Sequence, residues 1–304
     1  MEKKEYLKIF NNQSDYDSQK DLIMDTPHVV LLDDTQKVIY APKIDYSKEY
    51  FTIEALENGT ITIPIFSGAS YVAYSKNDEQ WVEKVKPTEP SEPLLVNDIY
   101  ADIQISVKAN DKVKLKSDAL ALTYYEQIEI SMPFNLEGNI FSLLKGDDFI
   151  NPGLTKYYDG AFFQFFMGSK VVSAKNLILP SMKGPSFYEG LFSGCKSLTS
   201  APQLLATTLQ NRCYYNMFSN CTSLTTAPQL PATTLAERCY QGMFYGCSNL
   251  NYIKMLATDI SASDCLDGWV NGVASIGTFV KNAAMTSLPS GINGIPSGWT
   301  VENA

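Results

Sequence analysis

Six cysteines are the residues of this chain with the greatest capacity for chemistry. They recur every 26 residues in two series: Cys195, Cys221 and Cys247, and then Cys213, Cys239 and Cys265. Thiols can bind zinc, form disulfides or pack as small apolar groups. Zinc sites usually pair cysteines roughly two to four residues apart, whereas neighbouring cysteines here are 18 or 8 residues apart. We therefore expect free, buried thiols, with zinc and disulfides as the alternatives.

The other groups with catalytic potential are one histidine and two pairs of acids. A Ser-His-Asp or Cys-His site would need His28, the single histidine, but no nucleophile-elbow sequence occurs. Asp33-Asp34 and Asp147-Asp148 could serve glycoside hydrolysis, which needs two carboxylates across a cleft, although adjacent acids more often mark solvated turns. The sequence therefore predicts a protein that is not an enzyme and has no catalytic residues, metal ligands or cofactor.

Two arginines, Arg212 and Arg238, occupy equivalent positions 26 residues apart. Stacked one above the other, they could recognise carboxylate or sulfate groups; alternatively, each only solvates its own helix. The predicted binding surface comprises Arg212, Tyr215, Arg238, Gln241 and Tyr245. A second set of polar residues is expected on the strand side of the repeats: Thr199, Gln203, Thr225 and Gln229. Uncharged polar and aromatic side chains suit contacts with sugars or protein surfaces.

The elements that must position these residues are internal repeats. Residues 195–220 and 221–246 share 17 identities in 26 positions, which indicates duplication. Four repeat cores are expected: Ser169–Gly194, Cys195–Asn220, Cys221–Gly246 and Cys247–Gly272. Repetition at such a period predicts a solenoid in which equivalent side chains, including Phe192, Phe218 and Phe244, lie in register.

Each repeat is expected to contain a strand and a short helix. The inward-facing residues of the strand and of the turn that follows it would be Leu224, Ala227 and Leu230. Thr234-Leu235-Ala236-Glu237 matches a capping box. In the helix that follows, Cys239, Met243 and Cys247 recur at steps of four residues and form an apolar stripe.

The first half of the chain has a different pattern. Residues 1–43 predict a small α/β module with a helix at Ser14–Ile23, strands at Val29–Leu32 and Lys37–Tyr40, and a hairpin turn at Asp33–Gln36. Alternating apolar and polar residues then predict an antiparallel β-domain. Its strands are expected at Gly59–Ile63, Ser70–Ser75, Gln80–Val85, Asp102–Val107, Lys112–Lys116 and Glu126–Ser131. Proline-rich Lys86–Pro93 should be an exposed loop.

Charge is distributed unevenly between the two halves. Residues 1–150 hold 26 acids and 15 lysines, whereas residues 151–304 hold 7 acids and 9 basic residues. Neither half offers the basic stripe typical of nucleic-acid binding. No run of 18 apolar residues occurs, so we expect no membrane insertion.

The repeats resemble a known family. The sequence SLTTAPQLPATTL at residues 223–235, followed by Cys239-Tyr240 and Met243-Phe244, resembles the BspA-like leucine-rich repeat proteins of gut Bacteroidales. The closing segments 277–282 and 294–301 are also similar to the ends of such proteins. The resemblance covers roughly residues 160–304. It implies a leucine-rich repeat fold and adhesion to proteins, glycans or cell surfaces, and it supplies no catalytic residues.

A second, shorter resemblance concerns the N-terminus. Tyr6–Phe10, Ser14-Asp15-Tyr16 and Val38–Pro42 resemble the N-terminal module of virion proteins from phages that infect Bacteroidales. Surface members of the repeat family begin with a secretion or lipoprotein signal, and no such signal follows Met1 here. Virion proteins assemble in the host cytoplasm and need none.

Together these observations predict an α+β multidomain protein. The expected parts are an attachment module at 1–43, an antiparallel β-domain at 44–140, and a leucine-rich repeat solenoid with a C-terminal cap at 141–304. The expected function is non-enzymatic: a phage head or tail appendage located in the virion, whose repeats bind a host-surface glycan or protein. Its other partners would be virion structural proteins and further copies of itself, without nucleic acid. The alternative is a bacterial cell-surface adhesin.

Overall fold

The fold is seen in a computed structural model of the chain. It describes the backbone of residues 8–10, 29–32 and 38–40, and backbone and side chains of residues 49–66, 68–85, 102–150, 159–180 and 184–304. The chain divides into two compact units, Met1–Asp45 and Tyr46–Ala304.

The first unit contains a three-stranded sheet. Strand β2 (Val29–Leu32) pairs in parallel with β1 (Lys8–Phe10) and antiparallel with β3 (Val38–Tyr40). The strand predicted at Val29–Leu32 is confirmed. The predicted helix at Ser14–Ile23, the turn at Asp33–Gln36, His28 and the loop Lys86–Pro93 lie outside the described residues.

The second unit contains the remaining strands of the described chain. They are β4 Phe51–Ala55, β5 Gly59–Ile63, β6 Tyr71–Lys76, β7 Val82–Val85, β8 Ile103–Val107, β9 Lys112–Ser117, β10 Glu129–Ile130, β11 Phe134–Asn139, β12 Val171–Ile178, β13 Tyr252–Met255, β14 Thr278–Lys281 and β15 Thr300–Asn303. They form a six-stranded sheet in the order β12-β11-β4-β9-β6-β7 and two three-stranded sheets, β10-β5-β8 and β13-β14-β15. Because β12 pairs in parallel with β11, the large sheet continues across the domain boundary expected between residues 140 and 141.

Apolar and polar residues alternate along the strands of the six-stranded sheet, so its two faces differ. On β9, Val113 and Leu115 are buried in the core, and the three lysines that alternate with them, Lys112, Lys114 and Lys116, point to the opposite face. We call this opposite face the polar face. Its lysines form ion pairs with acids from other segments: Lys112 with Glu137 at 2.6 Å, Lys114 with Asp78 at 2.6 Å and Lys116 with Asp147 at 2.9 Å.

A ladder of turns packs beside the sheet and shares its core. It consists of five equivalent segments, residues 160–168, 186–194, 212–220, 238–246 and 264–272, which we call the turn ladder. Every fourth residue of each segment has a positive φ, as at Arg212 (56°), Asn216 (51°) and Asn220 (60°). An α-helix cannot accommodate such residues, because the left-handed conformation interrupts its hydrogen bonding.

Hydrogen bonding in the turn ladder alternates along the chain. The amide of Arg212 donates to the carbonyl of Glu237, directly before the next segment, and those of Tyr214 and Asn216 donate to Cys239 and Gln241 within it. The amides between them donate three residues back, as Tyr215 does to Arg212 and Met217 to Tyr214. The same alternation recurs in the neighbouring segments, so half of the amides join one segment to the next.

The predicted fold class, an α+β leucine-rich repeat solenoid, is therefore wrong. The described chain is mostly sheet, and its single α-helix is the short α1 (Ser142–Lys145). The segment expected to be helical around Cys239–Cys247 is part of the turn ladder. The capping box is also absent: Glu237 accepts a hydrogen bond from the side chain of Asn211, directly before segment 212–220, at 3.3 Å.

Aromatic rings reinforce the ladder. Phe166, Phe192, Phe218 and Phe244 form a column with successive centroids 5.7, 5.8 and 5.8 Å apart. A second column joins Tyr188, Tyr214 and Tyr240 at 6.2 Å for each step. The predicted register of Phe192, Phe218 and Phe244 is confirmed, and so is the burial of Leu224, Ala227 and Leu230.

Candidate functional site

The five residues predicted to form a binding surface lie on the turn ladder. Tyr245 is 48% exposed, whereas the other four are partly buried. Arg212 and Arg238 occupy equivalent positions in neighbouring segments, and both have positive φ. We call the surface formed by Arg212, Tyr215, Arg238, Gln241 and Tyr245 the turn face.

Arg212 is held by a carboxylate of the preceding segment. Its Nε and Nη2 donate to the two carboxylate oxygens of Glu189 at 3.1 and 2.8 Å, and Glu189 is buried. The guanidinium also lies 4.5 Å from the centroid of the Tyr215 ring. Its hydrogen bonds to Glu189 raise the pKa of Arg212 further above its ordinary value. Arg212 therefore neutralises a buried acid and links two segments.

Arg238 and Gln241 contact the following segment instead. Arg238 donates to Asp264 Oδ2 at 3.2 Å, and Gln241 Nε2 donates to Asp267 Oδ2 at 2.9 Å. The Oε1 atom of Gln241 is buried and has no hydrogen-bond partner within the described chain. Arg212 thus pairs with an acid of the preceding segment, and Arg238 pairs with an acid of the following segment. Each guanidinium is therefore already matched by a carboxylate of this chain.

The strand side of the repeats carries a row of hydroxyl groups. We call Ser173, Ser200, Thr226, Tyr252, Thr278 and Thr300 the hydroxyl row. β-Bridges join Ser173 to Ser200 and Thr226 to Tyr252, and pairing in the small parallel sheet continues the row to Thr278 and Thr300. Residues that are paired between neighbouring strands lie about 4.8 Å apart. All six are at least partly exposed, so the row forms an extended hydrogen-bonding surface.

The polar residues that the sequence predicts on this side are located beside the row. Thr199, Thr225 and Gln229 are exposed, and Gln203 is partly buried. Thr199 Oγ1 donates to the Val172 carbonyl at 3.0 Å.

The cysteines are all free and buried, as predicted. The thiols of Cys195, Cys221 and Cys247 donate to carbonyls of the preceding segment at 3.0–3.1 Å. Burial raises the pKa of Cys195 to about 11 and that of Cys213 to about 12. These thiols are therefore protonated at neutral pH and act as small packing groups, because the thiolate is the nucleophilic form.

A further group of side chains was not predicted from the sequence. Tyr50, Tyr71, Trp81, Lys116 and Asp147 meet on the polar face of the sheet, and we call them the aromatic cluster. Asp147, one of the paired acids noted in the sequence, accepts hydrogen bonds from Tyr50 and Lys116. Tyr50 and Asp147 are separated by 97 residues, so no local pattern could have indicated their contact.

The comparisons with known proteins add no relative. No family model, curated protein or solved structure matches this chain. Across the described residues, no group of three or more His, Cys, Asp or Glu side chains is arranged to hold a metal ion. The same part of the chain contains no helix that could span a membrane.

Proposed function

We propose that this protein is a non-enzymatic recognition component of a phage particle, and that its repeats bind a glycan or protein on the host surface. The hydroxyl row is the main support. Six hydroxyl-bearing side chains lie along one side of the repeats, and strand pairing fixes most of their positions. A surface that is ordered before binding loses less conformational entropy when it meets its partner.

The exposed groups of the row suit a partner that carries many hydroxyl or amide groups. Serine and threonine hydroxyls both donate and accept hydrogen bonds. The Tyr252 ring, near the middle of the row, adds a broad apolar contact. Repeat proteins commonly bind through such extended surfaces. The placement in a virion rests on the resemblance of the N-terminal segment to phage virion proteins.

The binding test uses the full chain, fluorescently labelled, on a panel of Bacteroidales cells. We expect saturable binding to some strains and about tenfold weaker binding by a Thr226→Val/Thr278→Val variant, since two hydrogen bonds are lost. The matched control is Thr207→Val/Thr233→Val, which changes two exposed threonines outside the row. Treating the cells with periodate or with protease distinguishes a glycan from a protein partner.

Two results would contradict the proposal. One is the absence of binding to every strain; the other is equal binding by the row variant and its control. The virion placement is tested separately by labelling with antibodies against the chain. Label on purified phage particles supports the placement, and label only on bacterial cells rejects it.

A further inference from the structure

The aromatic cluster assembles from five separate segments. Tyr71 and Lys116 belong to β6 and β9, while Tyr50 and Trp81 lie immediately before β4 and β7. Asp147 comes from the 3-10 turn Gly146–Ile150 that follows α1. The sheet thus brings together three aromatic rings, one cation and one carboxylate.

Asp147 is oriented by its neighbours yet remains accessible. Its Oδ1 accepts from the Tyr50 hydroxyl at 2.6 Å and from Lys116 Nζ at 2.9 Å, and its Oδ2 accepts from Lys116 at 3.0 Å. The side chain is nevertheless 64% exposed. A carboxylate has about four lone-pair sites, so one acceptor site remains on Oδ2. The hydrogen bonds from Tyr50 and Lys116 lower the pKa of Asp147, which keeps it ionised at neutral pH.

The rings beside Asp147 provide an apolar wall. Trp81 packs edge-on against Tyr50 with centroids 4.9 Å apart, and Lys116 Nζ lies 4.6 Å from the indole centroid. Trp81 remains partly exposed. Tyr50 also contacts Phe149 at 5.0 Å, which supports its ring from the protein side.

Tyr71 brings a second phenol towards the carboxylate. A Cβ atom at Gly146 would come within 2.0 Å of the Tyr71 hydroxyl, and Gly146 has φ +52°. Glycine therefore leaves space for Tyr71 next to Asp147. Burial raises the pKa of Tyr50 and Tyr71 to about 12, with the Asp147 charge adding to the effect. Both phenols are protonated at neutral pH.

We infer that the aromatic cluster is a binding site for a neutral pyranose sugar. A pyranose has an apolar C–H face and a rim of hydroxyl groups. Trp81 contacts the apolar face, and a sugar hydroxyl donates to Asp147 Oδ2. A neutral ligand fits because Lys116 and Asp147 balance each other's charge. This site is separate from the hydroxyl row and does not depend on its proposed role.

Tryptophan fluorescence can isolate this site in the full chain. The protein has three tryptophans; Trp269 is fully buried and Trp299 is 7% exposed, so acrylamide should quench mainly Trp81. The probes are glucose, galactose, mannose, fucose and N-acetylglucosamine at millimolar concentrations. We expect at least one of them to protect Trp81 from quenching. Asp147→Asn should weaken that sugar's affinity about tenfold or more, because a charge-assisted hydrogen bond is lost.

The matched control is Glu137→Gln, which removes an acid of another ion pair on the same polar face. It should leave sugar protection unchanged, as should the Thr226→Val/Thr278→Val variant of the hydroxyl row. Trp81→Ala should abolish the sugar contact, read out by saturation-transfer NMR. The inference is overturned if no sugar of the panel protects Trp81, or if Glu137→Gln weakens binding as much as Asp147→Asn.

Discussion

The polar face of the six-stranded sheet and the turn ladder maintain their register by different means. On the sheet, lysines of β9 pair with acids from distant segments, as Lys112 does with Glu137. In the turn ladder, backbone amides bond to the next segment and identical rings stack, as Phe218 does on Phe192. The sheet uses a different pair of residues at each position, whereas the ladder repeats the same hydrogen bonds and ring contacts every 26 residues.

This difference determines how far a local change should spread. An ion pair on the polar face involves two side chains, and its loss is partly replaced by water. A ring in the middle of the ladder contacts equivalent rings on both sides, so its loss removes contacts from three segments.

Alkaline pH should lower the free energy of unfolding the most, because it deprotonates the thiols of the repeats in the unfolded state. Because burial raises thiol pKa values above the unfolded value of about 8.5, the folded state keeps its protons while the unfolded state loses them. This contribution to stability is complete below about pH 8.5 and declines above it, by about 1.4 kcal/mol per pH unit for each thiol. Urea unfolding between about pH 8 and 10 measures the slope.

The six cysteines all lie between residues 195 and 265, so amide exchange should accelerate there before it does in β4 and β9. Replacing Cys221 with Ala should make the dependence of the unfolding free energy on pH less steep, by about the contribution of one titrating proton. An unchanged slope would show that the thiols do not govern the alkaline response.

Phe218→Ala should cause the second-largest loss of unfolding free energy. Phe218 is fully buried, and its ring centroid lies 5.8 Å from those of Phe192 and Phe244. Removing a buried phenylalanine ring costs about 3–5 kcal/mol. Urea unfolding measures that loss, and hydrogen exchange should show weaker protection in segments 186–194 and 238–246 as well. Phe134→Ala, a fully buried residue of β11, is the comparison in the sheet. Loss of protection confined to segment 212–220 would contradict the contrast.

The two arginines should differ although their positions are equivalent. Arg212→Gln leaves the buried Glu189 without its cation and should cost about 2 kcal/mol. Arg238→Gln should cost about 0–1 kcal/mol, because its partner Asp264 is 44% exposed. Equal losses of unfolding free energy would show that burial of the acid does not control the cost.

The smallest effect is expected on the polar face. A double-mutant cycle on Lys112 and Glu137 should give a coupling of about 0.2–1 kcal/mol, since the lysine side chain is 44% exposed. The coupling should diminish in about 1 M salt, where charges are screened over about 3 Å. A coupling larger than the effect of Arg212→Gln would reverse the ranking of the two regions.

Strands were predictable where alternation reflects two different faces. Gly59–Ile63 was predicted with its observed bounds, and Lys112–Lys116 was predicted one residue short of β9. The sheet order was not predictable, because β11 and β12 pair across the expected boundary and no local signal marks that contact. The aromatic cluster was missed for the same reason.

The helix was predicted wrongly because a step of four residues lies close to the 3.6-residue period of an α-helix. Cys239, Met243 and Cys247 fit either structure. The sequence nevertheless contains a signal against a helix: Gly or Asn recurs at every fourth position in Asn216 and Asn220, and in Gly242 and Gly246. These residues tolerate positive φ better than others, and all four adopt it.

The uniform direction of the bonds between segments has an electrostatic consequence. The peptide groups before Arg212, Arg238 and Asp264 are joined head to tail, with every N–H directed towards the later segment, so their dipoles add as they do in an α-helix. The end at 264–272 is therefore partially positive and the end at 160–168 partially negative. Asn293 Oδ1 accepts from the Gly268 amide at 2.7 Å at one end, and Gln127 Nε2 donates to the Met167 carbonyl at 3.3 Å at the other. Two amide side chains thus cap a macrodipole that runs across the repeats.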